Sequence, residues 1–364
     1  MKIFKKSVAM LIAVITLLSA FTLMPITSSA KSININSTSS SGSCGKSTYW
    51  SFKNGVLTIS GKGAVNKSIP SSVETATKKM YVYDGVTDIS GIHLANCSKL
   101  TNITIGKGLK KITANTFYNC NKLSKITISG SNKYFASRGN AIFTKSMKRM
   151  IKYAPNQKAT TYTAPKSVTT VDKACFMNSK KLKTIKLPST VKSIGNEAYM
   201  GCTSLTNVTM ASNLTYLGTD TLRNTKIYNT KSNWKNGVLY YKNALIKSTS
   251  NSDSITVKNI KYIASNAFYN CRELENVKLP NSLVYIGDRA FFNCTHFHEV
   301  VIPKSVKKIG KMAFAYYEYI SYGADGEYDD ESVSIKSIPF SFYVYKNSYG
   351  HKYAYNNGYH YIFK

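Results

Sequence analysis

Apolar and polar positions alternate along this chain in a compound pattern that returns every 23 residues. One copy reads Ile260-Lys261-Tyr262-Ile263, Ala267-Phe268-Tyr269-Asn270-Cys271, Leu274 and Val277-Lys278-Leu279-Pro280. The next reads Leu283, Ile286-Gly287, Ala290-Phe291, Asn293-Cys294, Phe297, Val300 and Ile302-Pro303. Cys97 and Cys120 are one period apart, as are Cys271 and Cys294, and Ser179 and Cys202, while Cys202 and Cys271 are three periods apart. Such self-similarity marks a stacked-repeat architecture. Eight units can be traced, starting near Val86, Leu109, Val168, Val191, Leu214, Ile260, Leu283 and Val306.

Each unit has a physical reading. Leu-x-x-Ile-x-Ile ends in an apolar/polar alternation and predicts a short half-buried strand. Val-x-x-Ile-Gly predicts a second, shorter extended piece closed by a turn glycine. Ala-Phe-x-Asn-Cys predicts a compact bend carrying a small residue, an aromatic plug and a small thiol. One unit alone buries nothing; stacked units form continuous apolar columns and parallel sheets with strands ~4.8 Å apart.

Ala-Phe-x-Asn-Cys-x-x-Leu-x-x-Ile-x-Ile-Pro-x-Ser-Val-x-x-Ile-Gly resembles the BspA-type (Treponema-like) leucine-rich repeat of secreted and surface bacterial proteins. The resemblance runs from about Cys44 to Lys364. It implies an α/β repeat solenoid dominated by short strands: a right-handed leucine-rich-repeat stack with β-hairpin insertions and β-rich caps. Some slots depart from the consensus. Ser179, Thr225 and Tyr317 replace the ladder cysteine, and Cys175 and His93 occupy the alanine slot.

Two interruptions break the period, about 131–164 and 229–257. Runs such as Gly139-Asn140-Ala141-Ile142-Phe143 and Asn236-Gly237-Val238-Leu239-Tyr240-Tyr241 predict hairpins extending from the stack. Trp50 to Ile59 has the same look and would cap the first rung. Residues 339–364, with Phe342-Tyr343-Val344-Tyr345 and Tyr359 to Phe363, would cap the last, since open solenoid ends need covering. The expected organisation is a signal segment over 1–30, a flexible lead-in over 31–43, an N-terminal hairpin cap over 44–83, repeats over 84–338 and a C-terminal cap over 339–364.

The signal segment rests on Lys2, Lys5 and Lys6, an apolar run from Val8, and Ser28-Ser29-Ala30. Its clean apolar stretch is shorter than the ~20 residues a membrane span needs. Leu187-Pro188-Ser189-Thr190-Val191 superficially looks like a wall-sorting signal, but it lacks the final glycine and a following hydrophobic tail. Charge then changes the picture. The chain holds 49 Lys+Arg against 17 Asp+Glu, a formal +32, which falls to +29 once Lys2, Lys5 and Lys6 leave with the signal segment. That excess points to anionic partners.

The lysines fall in register. Lys107, Lys166, Lys258 and Lys304 lie five residues before the inward apolar residue of Val-x-x-Ile, and Lys110, Lys111, Lys192, Lys261, Lys307 and Lys308 lie one or two before it. Stacking sets these ten in columns on one flank, a candidate site for an anionic polymer. Cys97, Cys120, Cys202, Cys271 and Cys294 share one slot and read as a buried structural ladder without metal; neighbours in it come close enough to bridge if oxidised. Cys44 lies outside it.

Other chemistry is sparse. His296-Phe297-His298-Glu299 reads as an exposed bend, with Phe297 in the slot of Leu274, and His93 as a hydrogen-bonded, partly buried residue. Glu318, Asp325, Glu327, Asp329, Asp330 and Glu331 crowd into one acidic loop, a solvated insertion or an oxygen cage for calcium. Glu197 and Asp220 sit at variable bend positions. The 27 tyrosines concentrate late in the chain and suit either cap packing or contacts to sugars and proteins. No phosphate loop, nucleophile elbow or paired Cys/His motif occurs, so no catalytic residue and no cofactor is expected. The sequence therefore points to a secreted interaction or adhesion protein, retained at the bacterial surface by charge. Its partner would be a surface protein or an anionic glycan or wall polymer, with no specific nucleic acid. The alternatives are a structural protein held on anionic wall polymers and, behind it, a glycan-active enzyme or accessory module.

Overall fold

The Leu-x-x-Ile-x-Ile segments become the first face of a strand-rich solenoid. In the computed structural model, which describes residues 39–92, 94–113, 115–321 and 332–364, Lys79–Val82, Asn102–Ile105 and Lys125–Ile128 pair in parallel. Met80, Ile103 and Ile126 are in register, and so are Val82, Ile105 and Ile128; all six point inward and are buried. The Val-x-x-Ile segments form the second face. Val171, Ile194 and Leu217 align on it, and further along so do Ile263, Ile286 and Ile309. The core lies between the two faces.

The bend closes the third side. Phe268, Phe291 and Phe314 stack with centroids 4.7 and 4.9 Å apart and planes 8° and 11° from parallel. The Asn-Cys pairs have a backbone cause. Asn96, Asn119, Asn178, Asn270 and Asn293 all take left-handed φ between 55° and 69°, a conformation that asparagine and glycine tolerate best. Gly201, at φ +74°, fills the same slot. The amides then pair along the stack: Asn119 Nδ2 donates to Asn96 Oδ1 (2.8 Å), and Asn178 Nδ2 to Asn119 Oδ1 (2.7 Å).

The glycine of Ile-Gly plays a different part from the one its sequence context suggested. Gly195, Gly218, Gly287 and Gly310 have no left-handed φ. A Cβ at Gly195 would collide with the backbone N of Lys173 in the preceding rung, and one at Gly287 with that of Ser265. Glycine is required there because adjacent rungs approach closely, not because the chain turns.

Three expectations change. Ser39–Ser43, read as lead-in, is an edge strand paired antiparallel with Thr48–Lys53, Gly42 opposite Trp50. The bare Gly42 leaves room for the Trp50 indole against it. The two inserted hairpins do not stand off the stack. Phe135–Arg138, Ala141–Thr144 and Arg149–Tyr153 form an antiparallel meander whose last strand pairs in parallel with the next rung, Met150 beside Val171. Trp234–Lys235, Val238–Tyr241 and Ala244–Ser248 repeat the arrangement, Leu245 beside Ile263. Each hairpin thus founds a new second-face sheet, so the stack holds more rungs than the eight traced from the repeat. The first-face sheets break at the same two places, with Thr161–Thr163 and Ser254–Thr256 opening new ones.

Helix is minor among the described residues: Ser71–Ala76, Lys226–Asn229 and Tyr349–Asn356. At the C-terminal end Ser341–Val344 and His360–Phe363 continue the first face in parallel from Glu299–Val301. The signal segment, His93 and the acidic positions 325–331 lie outside the described residues.

Candidate polyanion interface on the loop flank

The turn from the first face to the second carries the register lysines, and all ten are exposed. Their backbones follow one another along the ladder. Lys110 N bonds Thr87 O, Lys192 N bonds Thr169 O, Lys261 N bonds Asn243 O and Lys307 N bonds Val284 O, each reaching back one rung. The columns start on acids. Lys107 Nζ lies 3.6 Å from Asp84 Oδ2 and Lys111 Nζ lies 3.4 Å from Asp88 Oδ2. Burial disfavours the Asp88 carboxylate, but hydrogen bonds from Ser90 and Lys111 outweigh it and hold its pKa below the usual range. The other eight have no carboxylate within 4.0 Å among the described residues.

The structure adds members that the sequence reading missed. Because Met150 holds the inward slot of a rung, Lys145, Lys148 and Arg149 stand five, two and one residues before it, the same offsets as the lysines. Thr169 N and Thr170 N bond Lys148 O, which puts Lys148 in the column of Lys192. The signal was present in the spacing but hidden by treating the segment as a protruding hairpin. Arg149 Nε bonds Asp172 Oδ1 at 2.6 Å; burial raises the Asp172 pKa against the pull of that guanidinium.

The columns are also not continuous. The rungs ending at Leu217, Leu245 and Ile286 carry no cation at the three flank offsets. Near the first of these the flank is covered: Tyr262 Oη bonds Ser212 O, and Lys308 Nζ donates to Thr215 O at 3.0 Å while lying 6.0 Å from the Tyr285 ring. The charge therefore divides into one group over Lys107, Lys110, Lys111, Lys145, Lys148, Arg149, Lys166 and Lys192, and another over Lys258, Lys261, Lys304, Lys307 and Lys308. Within these, Lys110 lies 5.8 Å from the Tyr134 ring and Lys304 lies 4.8 Å from that of Tyr345.

The five ladder cysteines are buried thiols. Cys120, Cys202 and Cys294 donate Sγ–H to Leu94 O, Phe176 O and Phe268 O at 3.0–3.1 Å, each 26 residues back. Cys97 and Cys271 reach Glu74 O (3.2 Å) and Ser248 O (3.9 Å), each 23 back. Burial pushes the Cys202 thiol up to about 12. Cys175, in an alanine slot, and Cys44, paired by backbone to Thr48, are buried too.

The remaining candidates do not converge. Phe297 is buried between exposed His296 and His298. Glu197 accepts from Tyr118 Oη at 3.0 Å and lies 4.0 Å from Lys173 Nζ, whereas Asp220 turns to Arg223. Tyr269 Oη donates to Glu318 at 3.2 Å. Among the described residues no three His, Cys, Asp or Glu side chains are grouped to hold a metal, and no helix is long and apolar enough to cross a membrane.

A turn between two parallel strand faces, repeated every 23 residues around a buried apolar core, defines a leucine-rich-repeat protein. Residues 67–151, 139–243 and 240–323 match the profile of the BspA type leucine rich repeat region, in six copies, and the chain belongs to that family. No curated protein matches it. Among solved structures it is similar to a leucine-rich repeat protein from Bacteroides ovatus, at 18% identity over 88% of this chain and 98% of that one (TM-score 0.32). It is also similar to the pneumococcal vaccine antigen PcpA, at 14% over 88% and 98% (TM-score 0.31). A leucine rich cell surface protein from Faecalibacterium prausnitzii matches at 16% over 78% and 95% (TM-score 0.31).

Proposed function

We propose that this chain is a secreted, non-catalytic interaction protein that adheres to polyanionic surfaces through its loop flank. The observation that carries this reading is the register of the cations: exposed lysines recur at fixed offsets before the inward residue, and most have no carboxylate partner. Where charged rungs adjoin, as at Met150, Val171 and Ile194, their ~5 Å spacing lies inside the ~8 Å screening length at physiological salt and neighbouring charges reinforce one another; the Ile263 and Ile309 rungs, two apart at ~10 Å, do so less. An anionic polymer along the flank relieves their repulsion and releases its own counterions. Membership of a family whose resemblance implies surface attachment agrees with that role. The proposed flank comprises Lys107, Lys110, Lys111, Lys166, Lys192, Lys258, Lys261, Lys304, Lys307 and Lys308, and the shared register of Met150 and Val171 supports including Lys145, Lys148 and Arg149.

Retention at the cell surface by anionic wall polymers uses the same flank. The test is binding of the purified mature chain to wall polymer and to a sulfated glycan across a salt series. Steep loss with salt on both supports the reading; salt-insensitive binding, or turnover of either polymer, overturns it.

A further inference from the structure

Each inserted hairpin adds its strands to the second face and none to the first, so the first-face sheet ends at the hairpin and a new one begins after it, leaving a gap in that face. Between Asn207–Val208 and Ser254–Thr256 one side of that gap is closed: Val208 N donates to Tyr241 Oη at 2.9 Å, and Ile227 N bonds Leu205 O. The other side is open. Asp253 O accepts from Asn276 N, and Val257 N donates to Lys278 O, so these residues turn their backbone toward the neighbouring strand. Parallel pairing alternates sides, hence Ser254 and Thr256 turn their N–H and C=O outward, where no hydrogen-bond partner meets them among the described residues.

This bare edge borders a cavity of about 610 Å³ lined by Lys235, Lys242, Lys258 and the hydroxyls of Ser250 and Ser252, with no acid in its wall. Lys242 Nζ donates to Asn207 Oδ1; Lys235 and Lys258 have no carboxylate within 4.0 Å among the described residues. The first hairpin repeats the construction. There Thr161 and Thr163 form the bare edge, beside a cavity of about 700 Å³ edged by Arg138 and Lys166.

We propose that the Ser254–Thr256 edge receives an extended, acidic peptide segment of a partner protein, which completes the first face as an added strand. Main-chain bonds to Ser254 and Thr256 supply affinity, and the three lysines select acidic side chains. An unpaired strand edge matches the alternating donors and acceptors of a peptide; a glycan would use the lysines alone. This goes beyond the polyanion reading: it shares Lys258 with the flank, but it requires the backbone groups of Ser254 and Thr256, which lie outside the flank columns.

The probe is a fluorescent nine-residue peptide alternating glutamate and valine, blocked at both ends, titrated into the full mature chain by anisotropy. Amide hydrogen exchange at Ser254 and Thr256 should slow at least tenfold on binding. Thr256→Pro deletes an N–H on the open edge without touching the ladder to the neighbouring strand, and should weaken binding at least tenfold while the thermal melt is retained. Lys235→Glu with Lys242→Glu should do the same, and so should N-methylation of alternate peptide amides. The proposal is overturned if the peptide fails to bind, or binds without protecting Thr256. It is equally overturned if dextran sulfate fills the cavity with an affinity that Thr256→Pro leaves unchanged.

Discussion

Lys152 shows how a single side chain can run against its surroundings. It follows Met150 and Ile151 in a strand buried from Met150 to Tyr153, and its Nζ donates to Ala174 O at 3.1 Å. Burial lowers its pKa, the nearby thiols of Cys120, Cys175 and Cys202 opposing. A folded-state pKa below the unfolded one means that the unfolded chain binds the proton more tightly. The cost is therefore largest at low pH and fades as pH rises toward about 10.4. Ala174 O also accepts from Met177 N, so removing the ammonium orphans nothing. Lys152→Met should raise stability by about 1–3 kcal/mol at pH 7 in urea unfolding, and the gain should shrink by pH 10; a gain independent of pH would contradict this. Phe291, stacked between Phe268 and Phe314, tests the bend column. Phe291→Ala should cost about 3–5 kcal/mol, and a loss under 1 would mean that the column is not a core. The ladder thiols are buried and donate to carbonyls, and alkylation of native protein at pH 8 should leave Cys202 unlabelled for as long as the fold persists.

At the scale of elements, the repeat units were legible because each slot has one physical demand: alternation for the strand, an aromatic for the bend, asparagine or glycine for the left-handed residue. What the sequence hid was the use of the hairpins. Asn236-Gly237 announces a tight turn, and the structure places it at φ +49° and +75°. Nothing in those residues says that the following strand will pair in parallel with the next rung, since that depends on Met150 and Leu245 sharing an inward slot with residues far along the chain. The same blindness kept Lys145, Lys148 and Arg149 out of the flank. Gly237 is held by both conformation and space, because a Cβ would meet Ser250 Cα at 2.9 Å. Gly237→Val should therefore destabilise by about 1–3 kcal/mol. Hydrogen exchange should show the loss first in Val238–Tyr241 and Ala244–Ser248; uniform loss across the stack would contradict the view of this hairpin as the founder of its own sheet.

At the scale of the whole molecule, the formal charge of +32 is an average that the fold sorts into flanks. A second exposed set, Lys99, Lys122, Lys180 and Lys181, follows the bend and precedes the first face, on the other side of that face from the register lysines. Diffuse attraction would weigh both sets alike, whereas a polymer lying along the flank would not. The decisive measurement is the salt dependence of binding to a sulfated glycan for three chains. They are the unmodified protein, a variant with Lys107, Lys110, Lys148 and Lys192 changed to Glu, and one with Lys99, Lys122, Lys180 and Lys181 changed to Glu. Each phosphate- or sulfate-bound lysine contributes up to about −0.9 to the slope of log K against log salt. The flank variant should lose about two to four in slope and most of its affinity at 150 mM salt, roughly physiological, while the other variant keeps its slope within about one. Equal losses in the two variants would contradict the account and leave the charge a diffuse property of the surface.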